Sequence, residues 1–157
     1  MKNEVQSFYG NRLRLRACGI CIRGNSILMA NHQGISSGNF WAPPGGGIQF
    51  GEQATECLHR EFEEETGMSI EIKGFLFACE FIDSPFHAVE LFFEISSATN
   101  TLKVGIDPET GSPPIISEVK FLTWNEIEAL HATELHGIFN YLSHPSEIIA
   151  QRGFFKV

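Results

Sequence analysis

Residues Gly46 to Met68 read GGIQFGEQATECLHREFEEETGM. Three glutamates in this segment, Glu61, Glu64 and Glu65, have the i, i+3, i+4 spacing that places side chains on one face of a helix. Four apolar residues fall on the same side of a helical wheel: Ala54, Cys57, Leu58 and Phe62. The spacing therefore predicts a helix whose three carboxylates point toward the body of the protein.

Carboxylates crowded on the buried side of a helix repel one another and lose hydration, which is unfavourable unless a cation lies among them. Oxygen ligands of this kind suit a hard divalent ion, so the three glutamates predict a site for Mg²⁺, with Mn²⁺ as the alternative. The opposite side of the wheel carries polar residues that we expect to be solvated: Glu52, Glu56, His59 and Glu63.

The segment resembles the Nudix box, G-x5-E-x7-R-E-U-x-E-E-x-G-U with U apolar, at every specified position over residues 46–68. A pattern with so many fixed positions is far more specific than a lone glycine-rich loop. The chain therefore resembles a MutT-like Nudix hydrolase. The resemblance covers about residues 15–130 and implies an α/β fold, an α/β/α sandwich with a mixed central sheet. The length of the chain predicts that residues 1–157 form one domain.

The resemblance also implies metal ligands and their support. In the family the box helix supplies the metal ligands, which assigns Glu61, Glu64 and Glu65 to the metal, with the carbonyl of Gly45 as a further ligand. Arg60 lies beside them on the wheel, and its planar guanidinium is suited to holding a neighbouring carboxylate in one orientation. We expect Arg60 to support the site rather than to react.

The general base is left open between two carboxylates. A carboxylate outside the box often completes the site in this family, and Glu118 occupies the place for it, although a plain strand-end glutamate is the alternative. The base is therefore Glu118 or Glu61. The box residue Glu52 is expected to support the loop and the helix start, where a negative side chain is favoured.

Substrate contacts are expected from residues before and after the second strand. The position after that strand, often Arg or Lys in the family, is here Asn31-His32, so positive charge for a phosphate falls to Arg14 or Arg16. A protonated His32 could also supply it, the alternative being a solvated loop histidine. Trp41, beside a loop, is a candidate to stack on a base.

Composition limits the classes of partner. A chain of 157 residues with 43% hydrophobic and 19% charged residues is typical of one globular domain. A net charge of −8 argues against nucleic acid, whose binding depends on many Lys and Arg contacts to phosphates. Because we find no signal peptide or membrane span, we expect a cytoplasmic protein without a membrane partner. The four cysteines, including Cys18 and Cys21, are expected to be buried thiols, with a zinc site as the alternative.

Sequence patterns predict the order of strands and helices. Strands are predicted at residues 12–22, 26–30, 48–50, 70–83, 87–96 and 118–123, and helices at 125–130 and 134–142 in addition to the box helix. Gly24-Asn25 predicts a hairpin turn, and Ser84-Pro85 separates an antiparallel pair. Gly67 is expected to end the box helix, while residues 31–39 and 99–114 are predicted loops.

The predicted function is Mg²⁺-dependent hydrolysis of a pyrophosphate linkage in a nucleoside diphosphate joined to another group. A nucleoside triphosphate cut to monophosphate and pyrophosphate is the first candidate substrate, and ADP-ribose or a nucleotide sugar is the second. A nucleotide-binding regulator without turnover is the alternative from another class, because fold alone does not give function. The partner is thus a small nucleotide, and the resemblance implies a homodimer.

Overall fold

A mixed β-sheet forms the centre of the protein in the computed structural model, which describes residues 2–33, 38–99, 102–103 and 116–157. The strands within these ranges are β1 (Leu13–Arg23), β2 (Ser26–His32), β3 (Trp41–Ala42), β4 (Gly45–Gly47), β5 (Ser69–Asp83), β6 (Phe86–Thr99), β7 (Ile116–Thr123) and β8 (Gly153–Lys156). Their order is β3-β2-β1-β6-β5-β8, with β4 also paired to β1 and β7 to β2. The β1–β6 and β5–β8 pairs are parallel and the others antiparallel, which confirms the mixed sheet.

Helices cover both faces of the sheet. The helices in the described ranges are α1 (Lys2–Tyr9), α2 (Ala54–Thr66) and α3 (Trp124–Ala129), and three 3-10 turns span Ala132–Glu134, Gly137–Tyr141 and Pro145–Ala150. On one face, α2 buries Leu58 and Phe62 in a cluster with Ala17 of β1. On the other, Ile127 of α3 and Ile138 pack in a second cluster. This arrangement confirms the predicted fold class.

The box helix α2 forms where the sequence predicts it. At its start the Glu56 carboxylate accepts a hydrogen bond from the Gln53 backbone N–H at 2.9 Å. It ends at Gly67, whose φ of 68° lies in the left-handed region that glycine adopts without steric cost. Its buried residues are Cys57, Leu58, Glu61, Phe62 and Thr66, so the inward face carries Glu61 as well as apolar side chains.

Most predicted strands are also confirmed. The turn at Gly24-Asn25 joins β1 to β2, and β5 pairs antiparallel with β6 on either side of Ser84-Pro85. The four cysteines are buried and free, as expected for thiols. The predicted loop at 31–39 begins two residues later than expected, because β2 continues to His32 and its backbone pairs with β7. Most of the predicted loop at 99–114 lies outside the described residues.

Two predicted elements are wrong. The short strand expected at 48–50 lies instead at Gly45–Gly47, where the backbone pairs so closely with β1 that a Cβ on Gly45 would lie 2.2 Å from the Ala17 carbonyl oxygen. The helix expected at 134–142 is replaced by 3-10 turns. The His136 N–H donates to the Trp41 carbonyl at 2.9 Å, which ties this segment to β3 and diverts a hydrogen bond that an α-helix would need.

The two ends of the domain were not predicted. Helix α1 at Lys2–Tyr9 precedes β1, and β8 at Gly153–Lys156 adds a parallel edge strand beside β5. Short, partly exposed segments of this kind have too weak a hydrophobic period to be recognised before the sheet they join is known.

Candidate metal and catalytic site

The glycines of β4 lie directly against the box helix. Gly46 pairs with Ala17 of β1, and a Cβ at Gly46 would lie 2.1 Å from Glu61 Cδ. The Glu61 carboxyl group therefore occupies the space that any other residue at position 46 would fill. Glu61 is buried, its side chain only 12% exposed, and this burial raises its pKa even though Arg60 acts in the opposite direction.

Arg60 gathers the carboxylates of the site. Its Nη1 lies 2.7 Å from Glu61 Oε1 and 3.2 Å from Glu64 Oε2, while Nε and Nη2 bind the two oxygens of Glu52 at 2.8 and 3.0 Å. Nη2 also donates to the Gly47 carbonyl at 3.2 Å. One guanidinium thus joins the helix to the glycine strand and fixes the orientation of three box glutamates, Glu52, Glu61 and Glu64.

Glu52 does not lie where the helical wheel placed it. The solvated position predicted for it is wrong, because its side chain is paired with Arg60 and also accepts from the Gln49 N–H at 3.0 Å. The wheel failed here because Glu52 precedes the helix, which begins at Ala54. The contact with Gln49 does hold the loop that leads into the helix. Glu56, His59 and Glu63 are exposed, as predicted.

Gly45 is bound from two sides. Its N–H donates to Glu65 Oε2 at 3.0 Å, and its carbonyl accepts from Arg16 Nη2 at 2.7 Å. The φ of Gly45, +152°, is rarely adopted by other residues. Glu65 and the Gly45 carbonyl, the predicted backbone ligand, therefore belong to the same cluster of contacts.

The donor set fits a hard divalent ion. Arg60 uses one oxygen of Glu61 and one of Glu64, and the second oxygen of each has no hydrogen bond within the described ranges. In the same part of the chain no three His, Cys, Asp or Glu side chains form a complete metal-binding group. Mg²⁺ does not need one, because it commonly takes one or two carboxylates and completes its shell with water and substrate phosphate.

A buried polar chain that the sequence patterns did not predict lies behind Gly45. Arg16 Nη1 is 2.7 Å from Glu90 Oε1, and Glu90 Oε2 is 2.6 Å from His136 Nε2. Arg16 and Glu90 are paired across β1 and β6. The available signal was weak, because Glu90 is one of two glutamates inside the apolar run of β6 and its partner could not be named before the strand order was known.

The predicted substrate-binding residues are placed differently from what the sequence suggested. Both terminal nitrogens of Arg16 are taken up by Glu90 and Gly45. His32 is buried, and burial together with Arg16 lowers its pKa to about 3, so it is neutral and cannot supply charge to a phosphate. Trp41 is buried in the core with Lys120 Nζ 5.0 Å from its ring centroid, so little of its ring is free to stack. Arg14 lies over the Tyr9 ring at 4.3 Å.

Glu118 stands apart from the box glutamates. It lies on β7 opposite Asn31 and pairs with Lys120 at 3.2 Å, and its side chain is 46% exposed. No hydrogen bond or ion pair links it to the box among the residues that the structure describes. Its part in the chemistry stays a prediction.

Comparison with known proteins agrees with this geometry. The NUDIX domain family matches residues 13–142. An ADP-ribose pyrophosphatase from Methanocaldococcus jannaschii is 30% identical over 91 residues, which cover 57% of this chain and 54% of that protein. The match therefore spans about half the length of this relative.

Solved structures show the same fold. A MutT NUDIX hydrolase from Burkholderia pseudomallei superposes with a TM-score of 0.63 at 21% identity, covering 78% of this chain and 93% of that one. A MutT protein from Methanosarcina mazei Go1 gives 0.65 at 17% identity, with 83% and 90% covered. The family match, the fold and the glutamate helix against its glycine strand agree, and the chain belongs to the Nudix hydrolase family.

Proposed function

We propose that the protein is a Mg²⁺-dependent hydrolase that cleaves a pyrophosphate linkage in a nucleoside diphosphate joined to another group. The observation that carries this proposal is the set of oxygens beside β4. Arg60 holds Glu61 and Glu64 by one oxygen each and leaves the second oxygen of each available, and Glu65 lies next to them on Gly45. Mn²⁺ is the alternative ion for the same oxygens.

The residues that would hold the ion are Glu61, Glu64, Glu65 and the carbonyl of Gly45. When bound, a divalent ion would neutralise the negative charge of the phosphates and the charge that develops as the P–O bond breaks. Arg60 keeps two of the carboxylates in fixed directions through bonds of 2.7 and 3.2 Å. Such preorganisation matters because displacement of a reacting group by about 1 Å can cost about a hundredfold in rate.

A carboxylate is needed to take the proton of the attacking water. Glu61 is the first candidate because it belongs to the cluster around Arg60. Glu118 remains the second, and its ion pair with Lys120 would have to open or turn toward the substrate. Glu118→Gln separates the two, because Glu118 is not among the proposed metal ligands. If Glu118 is the base, this variant should lose kcat and the fall in rate at low pH while keeping its Mn²⁺ affinity, and if Glu61 is the base it should behave like the wild type.

Two substrate classes compete. The sequence places nucleoside triphosphates first, whereas the relative from Methanocaldococcus jannaschii is named an ADP-ribose pyrophosphatase and brings ADP-ribose forward. Both contain the linkage that this site would cleave. The homodimer and the cytoplasmic location stay predictions; no helix in the described part of the chain has the length and apolar character to cross a membrane.

The test is a product analysis with purified protein and Mg²⁺. Nucleoside triphosphates should give a monophosphate and pyrophosphate, and ADP-ribose should give AMP and ribose 5-phosphate; at least one should turn over, and chelation of the metal should stop the reaction. Nucleotide binding without any product would contradict the proposal and support a regulator. Turnover that persists in excess chelator would contradict the metal.

A further inference from the structure

A chain of three polar side chains connects the C-terminal segment to the glycine strand. His136 Nε2 lies 2.6 Å from Glu90 Oε2, Glu90 Oε1 lies 2.7 Å from Arg16 Nη1, and Arg16 Nη2 donates to the Gly45 carbonyl at 2.7 Å. Glu90 and His136 are both only 3% exposed. Both oxygens of Glu90 and both terminal nitrogens of Arg16 are paired, which leaves the chain little freedom to reorient, although Arg16 Nε is buried without a hydrogen-bond partner in the described part of the structure.

The far end of the chain is anchored by the backbone. His136 Nδ1 accepts from the Ile138 N–H at 3.3 Å, which leaves the ring proton on Nε2, facing Glu90. The backbone N–H of His136 in turn donates to the Trp41 carbonyl. The direction of the chain is therefore fixed by the fold itself.

Glu90 supplies the negative charge that faces Arg16. Burial alone would raise the pKa of Glu90, but His136 and Arg16 lower it to about 2, so Glu90 is ionised at neutral pH. An unpaired arginine bound to the Gly45 oxygen would repel a cation at that oxygen. Glu90 neutralises Arg16, which allows the same carbonyl to face a divalent ion on its other side.

We propose that Glu90 and His136 are positioning residues that act through Arg16. They orient the Gly45 carbonyl as a ligand of the divalent ion, and Glu90 offsets the positive charge of Arg16 beside that carbonyl. The inference rests on the proposed function, and it assigns a role to two residues outside the box. The fork of Arg16 suits this role, because one guanidinium reaches the carboxylate and the carbonyl together, whereas a lysine ammonium is a single point charge.

The first test replaces Glu90 by glutamine and measures Mn²⁺ affinity by titration calorimetry. A glutamine has one acceptor oxygen where the chain needs two, so its NH₂ group must face a donor on Arg16 or on His136. We expect Glu90→Gln to weaken Mn²⁺ binding by about tenfold or more, the range found when residues that orient metal ligands are lost. In hydrolysis, the apparent KM for Mg²⁺ should rise more than the KM for the nucleotide.

The structure offers a matched control. Glu80 on β5 also pairs with a histidine, its Oε1 lying 3.1 Å from His87 Nε2, but among the described residues it makes no hydrogen bond or ion pair with Gly45, Arg16 or the box helix. Glu80→Gln removes the same charge from the same kind of pair, and it should change Mn²⁺ affinity by less than about twofold. An equal loss in both variants would overturn the proposal.

A second variant covers the case in which Glu90→Gln does not fold, as judged by circular dichroism and thermal unfolding. Arg16→Lys keeps the charge but loses the two separate nitrogens with which the guanidinium reaches Glu90 and Gly45, and it should also weaken Mn²⁺ binding by about tenfold. If Glu90 acts through Arg16, the double variant that combines Glu90→Gln with Arg16→Lys should lose no more Mn²⁺ affinity than Arg16→Lys alone.

The outcomes separate this inference from the proposed function. Wild-type Mn²⁺ affinity in a folded Glu90→Gln or Arg16→Lys variant would overturn the positioning role while leaving hydrolysis by the wild type intact. Fully additive losses in the double variant would overturn the route through Arg16. A wild-type protein that binds no Mn²⁺ would overturn the metal site and this inference together.

Discussion

Two adjacent glycines set the geometry of the candidate site. Gly45 carries the proposed backbone ligand and is bonded by Glu65 on one side and Arg16 on the other. Gly46 leaves room for the Glu61 carboxyl group, which lies where a Cβ would be. At the scale of single residues, the absence of a side chain at position 46 is what allows Glu61 to turn inward.

We expect Gly46→Ala to lower hydrolysis by about a hundredfold with little loss of stability. The new methyl group would lie 2.1 Å from Glu61 Cδ, and the flexible carboxyl end would move away by about 1 Å or more. Steady-state kinetics and thermal unfolding measure the two effects. Gly47→Ala is the control, because a Cβ there meets nothing within 4 Å, and it should behave like the wild type.

Glu64→Gln should abolish most of the Mg²⁺-dependent activity, by about a hundredfold or more, and leave the fold intact. Its side chain is 26% exposed and, within the described part of the chain, its one ion pair is with Arg60, so the substitution removes a charge without opening the core. Glu56→Gln, on the exposed side of the same helix, should change the rate little. Comparable losses in the two variants would contradict the assignment of the inward face.

At the scale of elements, helix α2 was predictable and strand β4 was not. Leu58 and Phe62 mark the buried side of α2 by their helical spacing, and Gly67 marks its end. Strand prediction depends on alternating side chains, which Gly45–Gly47 does not have, so the expected strand was displaced to the apolar residues that follow. Of the three glutamates predicted to face inward, Glu61 is buried and Glu64 and Glu65 are partly buried, and their role as metal ligands stays a prediction.

The end of α2 provides a test of whether Gly67 stabilises the protein. Gly67→Ala should lower the free energy of unfolding by about 1 kcal/mol, because alanine is strained at a φ of 68°. Chemical denaturation measures the change. Gly74→Ala, where a Cβ meets nothing within 4 Å and no left-handed φ is needed, is the control. Equal stability of the Gly67 and Gly74 variants would argue against strain at the helix end.

At the scale of the whole molecule, the chain of Arg16, Glu90 and His136 depends on topology. Arg16 and Glu90 are 74 residues apart in sequence and meet because β1 and β6 pair in parallel. His136 arrives from the C-terminal segment beyond α3. Residue spacing cannot reveal such contacts, which explains why the box was predictable in detail while the residues behind it were not.

The buried His32 should make stability depend on pH. Its pKa is about 3 in the fold and near 6.5 when unfolded, so below pH 6.5 the unfolded chain takes up a proton that the native protein does not. Stability is therefore lost as the pH falls, by about 2 to 3 kcal/mol between pH 7 and pH 4.5 at about 1.4 kcal/mol per pH unit.

Urea unfolding of His32→Leu and His59→Leu at pH 7 and pH 4.5 measures this contribution. We expect the His32 variant to lose most of the pH dependence and the variant of the exposed His59 to keep it. The comparison stops at pH 4.5, because Glu90, with a pKa lowered to about 2, contributes below that value. An unchanged slope in the His32 variant would show that this histidine is protonated in the native protein.

Anomalous X-ray scattering from crystals grown with Mn²⁺ locates a bound ion directly. We expect a peak within about 2.5 Å of carboxylate oxygens of Glu61 and Glu64 and next to the Gly45 carbonyl. If crystals at a Mn²⁺ concentration that supports hydrolysis show no peak beside these residues, or show it elsewhere, the inward glutamates do not hold the catalytic ion.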